Sequence, residues 1–451
     1  MTRLLTLLLL TTWSILLTAQ PGNTTGTAFT LQEAINYGMA NHPLVRTAQL
    51  EMRDADLLIK ETKAVALPQI NGAINYQYFV KLPVQLVPAQ FFDPMAPEGT
   101  FAELQFGVAN NMTASVEASQ LLYDASYFTG LKAAKASKNF SATNLAVQQR
   151  TVRTNIINAY MPIVALQENL EVLNRNITNL EKLLFETSEL YKAGFVEQLD
   201  VDRLDLSLAN LRSQLDDLTR QEEALINLLK FAMSYPTEQS VRVEADLEAM
   251  AAELPIADLE GPINFQNRPE YRQLEIARLL QNYNTDVIRS QYYPNAAAFA
   301  NWQEQFQSDD FGEITDGDRW FPTGVIGARI NVPIFDGFRR RTQIQRSDIQ
   351  VDIIDNQRQQ LEDAITMEVE NARINYRSAQ ERVTNRRRNL ELAERIYNTT
   401  QIKYNEGVGS SLEVTQAEQE LYAAQANYIN AQYDLVVARV NLRVALGYET
   451  F

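Results

Sequence analysis

Tyr191-Lys192-Ala193-Gly194, followed by Leu199-Asp200-Val201, returns 213 residues later as Tyr404-Asn405-Glu406-Gly407, followed by Leu412-Glu413-Val414. Asn41-His42-Pro43 likewise returns as Asn267-Arg268-Pro269, and Pro68 as Pro294, at an offset of 226. The 13-residue difference between the two offsets requires an insertion in the first half, between Pro68 and Tyr191. The proline-rich stretch Leu82 to Gly99 is the place for it. The chain is therefore two copies of one unit, about 29–232 and 264–447, joined by a connector with Pro236, Pro255, Gly261 and Pro262.

Working outward from the two Tyr-x-x-Gly stretches, the apolar pattern is heptad. Ile156, Ile163, Leu170, Ile177, Leu184 and Tyr191 lie seven apart, partnered by Ala159, Leu166, Leu173 and Leu180. Val369, Tyr376, Val383, Leu390, Tyr397 and Tyr404 repeat that frame at the offset of 213. A duplication that keeps coiled-coil register points to long packed helices. Ala125–Tyr191 and Phe338–Tyr404 each hold 67 residues, with Gly130 and Pro162 in the first and no Gly or Pro in the second. As helices they would be ~100 Å long. Behind each glycine a second heptad series runs back, through Leu204, Leu211, Leu218 and Leu225 in one case and Ala417, Ala424, Ala431, Ala438 and Ala445 in the other. Each half thus contains a helical hairpin tipped at Gly194 or Gly407. One has a leucine seam and the other an alanine seam, so the two sit in different surroundings.

Between helices the period drops to two. Ile74, Tyr76, Tyr78 and Val80 alternate with polar residues over Ala73–Val80. Phe106, Val108, Met112, Ala114, Val116 and Ala118 do so over Phe106–Ser119. The second half repeats the pattern through Ala298, Ala300, Trp302 and Phe306, then through Ile326, Ala328, Ile330, Val332 and Ile334. One face is apolar and carries Tyr and Trp, as a lipid-facing wall would. The other is polar and includes Glu117 and Arg329, which face the lumen if the strands form a barrel. A small soluble sheet packed on a helix is the alternative these strands leave open. Four strands cannot close a barrel, so a membrane sheet requires several chains.

Composition narrows the function classes. The 451 residues include one His and no Cys, which removes thiolate metal sites, disulfides, cysteine nucleophiles, a lipid-modified N-terminal cysteine and His-rich metal clusters. The net charge of −16 argues against nucleic acid. No catalytic, metal or cofactor site is expected, and no Gly-rich phosphate loop or nucleophile elbow is present. Met1-Thr2-Arg3, the apolar run Leu4–Leu17 and Leu17-Thr18-Ala19 have the pattern of a signal peptide over 1–19. A membrane anchor is the other reading, but the run is shorter than the ~20 residues needed to span.

The chain resembles the TolC-like outer membrane efflux proteins. The resemblance rests on Leu31-Gln32-Glu33-Ala34 with Asn41-His42-Pro43, on the prolines that end the first helix of each half, and on Leu121-Leu122-Tyr123-Asp124 and Pro333-Ile334-Phe335-Asp336-Gly337 at the strand-to-helix passages. The two Tyr-x-x-Gly tips complete it. It implies a mainly α fold with a membrane β part. This would be a trimeric α/β barrel with four strands per chain in a shared twelve-strand barrel, and a long periplasmic coiled-coil helical tunnel. The implied organisation is a first repeat over 20–232, an equatorial connector over 233–263 and a second repeat over 264–451. The implied function is a passive exit duct of a tripartite efflux or type I secretion system in a Gram-negative outer membrane. Its partners would be a periplasmic adaptor, an inner-membrane pump and outer membrane lipid. A soluble periplasmic coiled-coil scaffold or adaptor is the rival class.

Carried over by position, the resemblance puts the family's main acidic ring on Glu413 and its second acidic site on the neutral Gln416. The gating tyrosine falls on Tyr404 and its aspartate partner, on the neighbouring hairpin, on Asp200. The basic latch falls on Gly409, so that salt bridge cannot form. Adaptor docking transfers to Gly194, Val196, Gly407 and Ser410. His42 is expected to be structural. Arg382, Arg386, Arg387, Arg388 and Arg395 are expected to form a solvated or ion-paired face. Phe91 and Phe92 are expected in a loop at the outer mouth.

Overall fold

Each half of the duplicated chain opens with locally encoded helix signals. In chain order the elements are β1 (Thr27–Phe29), α1 (Leu31–Asn41), α2 (Pro43–Ala64), β2 (Gln69–Tyr78), β3 (Val84–Pro88), β4 (Phe101–Gln105), β5 (Asn110–Tyr123), α3 (Ala125–Lys192), α4 (Gln198–Met233), β6 (Val241–Val243), α5 (Leu247–Ala252), α6 (Pro269–Ser290), β7 (Asn295–Ser308), β8 (Trp320–Asn331), α7 (Arg339–Asn405) and α8 (Ser411–Leu446). The computed structural model describes residues 27–252 and 261–448. The expected signal segment and part of the connector lie outside them.

The sequence motifs have physical roles at these boundaries. Thr30 and Glu33 form a reciprocal capping box at the start of α1, with Thr30 N–H donating to Glu33 Oε2 at 2.9 Å and Glu33 N–H to Thr30 Oγ1 at 3.3 Å. His42 ends α1, its N–H donating to Gly38 O at 2.8 Å, and Pro43 begins α2. In the second half Arg268 precedes α6 and Pro269 takes its first position, where a missing N–H costs nothing. Asp124 and Asp336 both cap a long helix. Ser126 N–H donates to Asp124 Oδ1 at 2.7 Å, and Arg340 N–H to Asp336 Oδ2 at 3.1 Å.

The described residues form two compact units, and these do not follow the two repeats. One contains 27–42, 152–252 and 377–438, and the other contains 43–151, 261–376 and 439–448. Each takes segments from both repeats.

The first unit holds the two hairpins. Its core includes Leu173, Ile177, Leu180 and Leu183 of α3, Leu204, Leu208 and Leu211 of α4, and Val414 of α8, with Tyr397 and Tyr404 packed against them. The heptad frame read from the sequence is thus the buried seam. On α8 the alanine series is buried at Ala417, Ala431 and Ala438. The short β1 and β6 pair in parallel, Thr27 opposite Val241 and Phe29 opposite Val243. The fully buried Tyr160 of α3 secures them, donating to Glu244 O at 2.9 Å and Phe29 O at 3.1 Å.

The second unit holds a four-stranded antiparallel sheet in the order β2-β5-β7-β8. Register puts the alternating residues of all four strands on common faces. Gly72, Val116, Trp302 and Gly324 form one cross-strand row, and Ile70, Ala118, Ala300 and Ile326 another. The opposite face has rows such as Asn71, Glu117, Asn301 and Val325. Glu304 interrupts the apolar face, opposite Ala114 and Pro322. At one end the β7–β8 connection folds over that face. Phe311 meets Tyr76 edge-on at 5.3 Å, Trp320 Nε1–H donates to Ile314 O at 2.8 Å, and Phe306 is fully buried.

Three expectations about strands need correction. The insertion is a hairpin in its own right: β3 and β4 pair from Val84 opposite Gln105 to Pro88 opposite Phe101, with Phe91 and Phe92 exposed in the turn between them. Its prolines sit at a strand end and in the turn, where no ladder donor is lost. Phe106 and Val108 do not extend β5, because Gly107 turns the chain at φ +107°. β8 stops at Asn331, so Val332 and Ile334 belong to the passage into α7.

Replacing Tyr160 by Phe removes both carbonyl contacts while keeping the ring. The purified protein should lose about 1–2 kcal/mol of stability, read as a lower thermal unfolding midpoint. An unchanged midpoint would show that this tyrosine does not hold β1 and β6 together.

Candidate functional site at the hairpin tips

The two tips end their long helices in the same way. At the first, Gly194 N–H donates to Tyr191 O and Phe195 N–H to Leu190 O, both at 2.9 Å. At the second, Gly407 N–H donates to Tyr404 O and Val408 N–H to Lys403 O, again at 2.9 Å. This is the Schellman arrangement, which needs a left-handed residue. Gly194 takes φ +83° and Gly407 φ +77°. The residue after each glycine, Phe195 or Val408, is 78% exposed. Each tip therefore presents a bare apolar side chain directly behind its glycine.

A cleft of about 670 Å³ opens between the two tips within the hairpin unit, bordered by Val196, Asp200, Arg203, Tyr404, Ser410 and Ser411 among others. Five residues placed here by sequence, Val196, Asp200, Tyr404, Gly407 and Ser410, border this cleft. Within the chain the structure does not make the expected Tyr404–Asp200 hydrogen bond. The Tyr404 hydroxyl lies 3.4 Å from Thr187 Oγ1 of α3. The Asp200 carboxylate is already used on both oxygens. Oδ2 accepts the Glu197 N–H at 3.2 Å, capping α4, and Oδ1 accepts the hydroxyl of Ser411 from the other hairpin.

Arg203, one turn after Asp200, completes the cluster. Its guanidinium donates to Ser411 Oγ at 3.5 Å and lies 3.9 Å from Asp200 Oδ1. A cation thus stands beside Asp200 from Asp200's own helix. Gly409 itself packs tightly, its N–H donating to Lys403 O at 3.0 Å. Arg203 was legible as an i, i+3 partner of Asp200. Ser411 was not, because only the packing of two hairpins brings it there.

Glu413 lies in the first turn of α8, where its N–H donates to Ser410 Oγ at 3.3 Å and the helix dipole favours a negative side chain. Its side chain is exposed. Gln416 follows one turn on, and Glu420, which sequence reasoning missed, continues the same exposed face. Glu117 and Arg329 are exposed on the polar face of the sheet, in the other unit, and the Arg329 guanidinium lies 5.5 Å from the Phe299 ring centre.

One buried carboxylate stands apart from these. Glu418 is 1% exposed, and its only hydrogen-bond partner among the described residues is the Tyr422 hydroxyl. Burial pushes its carboxyl above the ordinary range, against the opposing effect of that hydrogen bond. Burial, with Glu418 nearby, also pushes Tyr397 up to about 12. Among the described residues, no group of His, Asp or Glu could hold a metal ion.

The outer membrane efflux protein family matches over residues 35–232 and 264–448. The pyoverdine export outer membrane protein OpmQ of Pseudomonas aeruginosa is 25% identical over 72% of this chain and 66% of its own length. The chain spans only 60–66% of the length of the first curated relatives it matches. A crystal structure of CusC, from work on folding and transmembrane channel formation, superposes with a TM-score of 0.73 at 17% identity, covering 93% of this chain and 92% of that one. The open state of the Neisseria gonorrhoeae MtrE outer membrane channel gives 0.72 at 16% identity, covering 93% and 89%. These likenesses establish the fold.

Two predictions follow from the tip and its core. Ser411→Ala should loosen the link between hairpins. Spin labels at Val196→Cys and Val408→Cys, in a chain otherwise free of cysteine, should give a broader distance distribution than in the Ser411 protein. An unchanged distribution would show that the Asp200–Ser411 contact does not restrain the tips. Glu418→Gln should raise the thermal midpoint near pH 7. The folded state binds the Glu418 proton more tightly than the unfolded state, so wild-type stability falls as pH rises from the ordinary carboxylate value of 4.5 through the raised one. The advantage of the glutamine variant should therefore shrink as pH drops to about 4.

Proposed function

The chain belongs to the outer membrane efflux protein family, and we propose that three copies of it form an outer membrane exit duct. The observation that carries this reading is the sheet. It has one apolar face, edges at β2 and β8 that no other described strand pairs with, and strands of 10–14 residues, long enough to cross a bilayer when tilted. Pairing β2 of one chain with β8 of the next would satisfy both edges and close twelve strands around a lumen. The polar face, with Glu117 and Arg329, would then line that lumen. The helical hairpins would extend into the periplasm as a tunnel.

The tips act as the entrance of the duct. Three copies of Glu413 around the axis repel one another and attract cations. Gln416 dilutes that charge and Glu420 extends it along the wall. The Asp200–Ser411–Arg203 cluster ties the two hairpins of one chain together in the place of the family's tyrosine and basic latches. A periplasmic adaptor, itself bound to an inner-membrane pump, docks on the tips at Gly194, Val196, Gly407 and Ser410. The exposed Phe195 and Val408 supply apolar contact there. Docking favours the open packing of the hairpins over the closed one, a population shift. The duct does no chemistry and takes its energy from the pump. The relatives' names point to export of pyoverdine by OpmQ and to a probable efflux pump for TtgC of Pseudomonas putida. We assign this chain the same class of work, passing small molecules outward.

Extraction from membranes in detergent should yield a trimer that conducts ions in planar bilayers. A water-soluble monomer without conductance would favour the scaffold reading. Glu413→Gln should reduce cation preference and block by multivalent cations severalfold without lowering the amount of trimer. Unchanged selectivity would remove Glu413 from the lumen.

A further inference from the structure

The passages between sheet and helices combine exposed aromatic side chains with unpaired cations. Ile334 is 93% exposed, Phe335 74%, Phe338 61% and Tyr293 61%. Phe335 and Phe338 stack edge-to-face at 5.5 Å, and Tyr293 borders the same recess as Phe335, Arg339 and Arg340. Arg339, Arg340 and Arg341 follow directly in the first turn of α7. A helix N-terminus is the less favourable end for positive charge, so three arginines there do not serve the helix.

All but one of the neighbouring carboxylates are already engaged. Asp336 takes Arg340 at 2.6 Å, which holds its carboxyl below the usual range. Asp124 takes the Ser126 hydroxyl at 2.6 Å and its N–H at 2.7 Å. Asp286 takes Arg289 at 3.3 Å, and Asp56 takes Lys138 at 2.8 Å. Glu61 is the acidic residue near the sheet end of α2 that makes no such contact. Among the described residues, Lys60, Lys63, Lys132, Lys135, Arg339 and Arg341 make no ion pair and are exposed. Arg340 is spoken for: it is buried, lies 4.6 Å from the Tyr292 ring centre and donates to Gln291 O. It braces the passage and leaves its two neighbours outward.

We propose that this collar binds anionic phospholipid headgroups, with Arg339 and Arg341 on the phosphates and Phe335, Phe338 and Tyr293 among the upper acyl carbons. The inference rests on the outer membrane duct reading, which puts the helix-side ends of the strands at the periplasmic leaflet. Charge complementarity selects the occupant. In a chain of net charge −16, unpaired cations lie beside bare aromatic rings where the strands end. Aromatic rings take the headgroup level of a bilayer, and arginines next to them meet phosphate there. The collar would fix the depth of the barrel.

The purified full-length protein, in detergent with equal phosphatidylglycerol and phosphatidylcholine, should retain phosphatidylglycerol preferentially by native mass spectrometry. Arg339→Gln with Arg341→Gln should reduce that preference by about fivefold per arginine removed. Arg339→Lys with Arg341→Lys should keep most of it. Equal retention of the two lipids by wild type, or an unchanged preference in the glutamine variant, would overturn the proposal. So would a glutamine variant that changes ion selectivity in planar bilayers while its lipid preference stays, since the arginines would then line the duct. Wild type that binds phosphatidylglycerol but conducts no ions would count against the duct reading and leave lipid binding standing.

Discussion

The outer edges of β2 and β8 carry backbone N–H and C=O groups that no other described strand satisfies. In water this is an aggregation hazard, and in a bilayer each unpaired group costs several kcal/mol. The sheet beside those edges has one face of Ile, Val, Ala and aromatic residues, exposed over most of β2 and β8. A sheet with these properties is half of a structure, and neighbours must supply the rest. Assembly of several copies into a closed barrel, as proposed above, answers both demands. The strand-to-helix passages inherit the constraint. In the proposed barrel they would end the strands at the membrane surface and start helices in water, and capping aspartates, aromatic rings and arginines do crowd together there.

The hairpin unit solves a different problem with one frame used twice. The leucine seam of α4 fills its core with large side chains. The alanine seam of α8 removes bulk, and the room is taken by tyrosines from both helices. Tyr397, Tyr404 and Tyr422 pack at the edge of the core, and the buried Glu418 hydrogen-bonds to one of them. A duplicated frame does not impose duplicated packing. The same asymmetry appears at the tips. The position of Ser411 corresponds by the repeat to Gln198 and that of Asp200 to Glu413, yet only the Ser411–Asp200 pair is hydrogen-bonded between hairpins. The short side chain of Ser411 is buried where the hairpins meet, whereas Gln198 bonds within its own helix to Asp202 at 2.7 Å.

Much of this was legible in the residues. Helix ends are local events: Asp124, Asp336 and Thr30 cap, and Gly194 and Gly407 turn the chain, within a few residues of themselves. Strand faces were legible because side-chain direction alternates with a period of two, and register confirmed that the alternating series of four strands share two faces. Strand limits were read less well. Alternation continues through Phe106 and Val108, and through Val332 and Ile334, although no partner strand lies opposite them. The proline-rich stretch Leu82 to Gly99 has the composition of a loop, yet it holds β3, which pairs with β4. The register shows that its prolines sit where the ladder does not need their nitrogen.

By itself the sequence determined the duplication, the long helices, the paired tips and the two-faced strands, because each follows from spacing along one chain. Tertiary structure decided what the tips are made of. The Tyr404–Asp200 contact suggested by resemblance gives way to Asp200, Ser411 and Arg203, since a hydrogen bond requires two groups within about 3 Å. Residues 211 positions apart reach that distance only after two hairpins have packed. Tertiary structure also separated Arg340, which is buried and paired, from Arg339 and Arg341, which are not. Three identical residues in a row carry no sign of that difference. It arises from the direction each side chain leaves the first turn of a helix, and from what the fold has placed there to meet it.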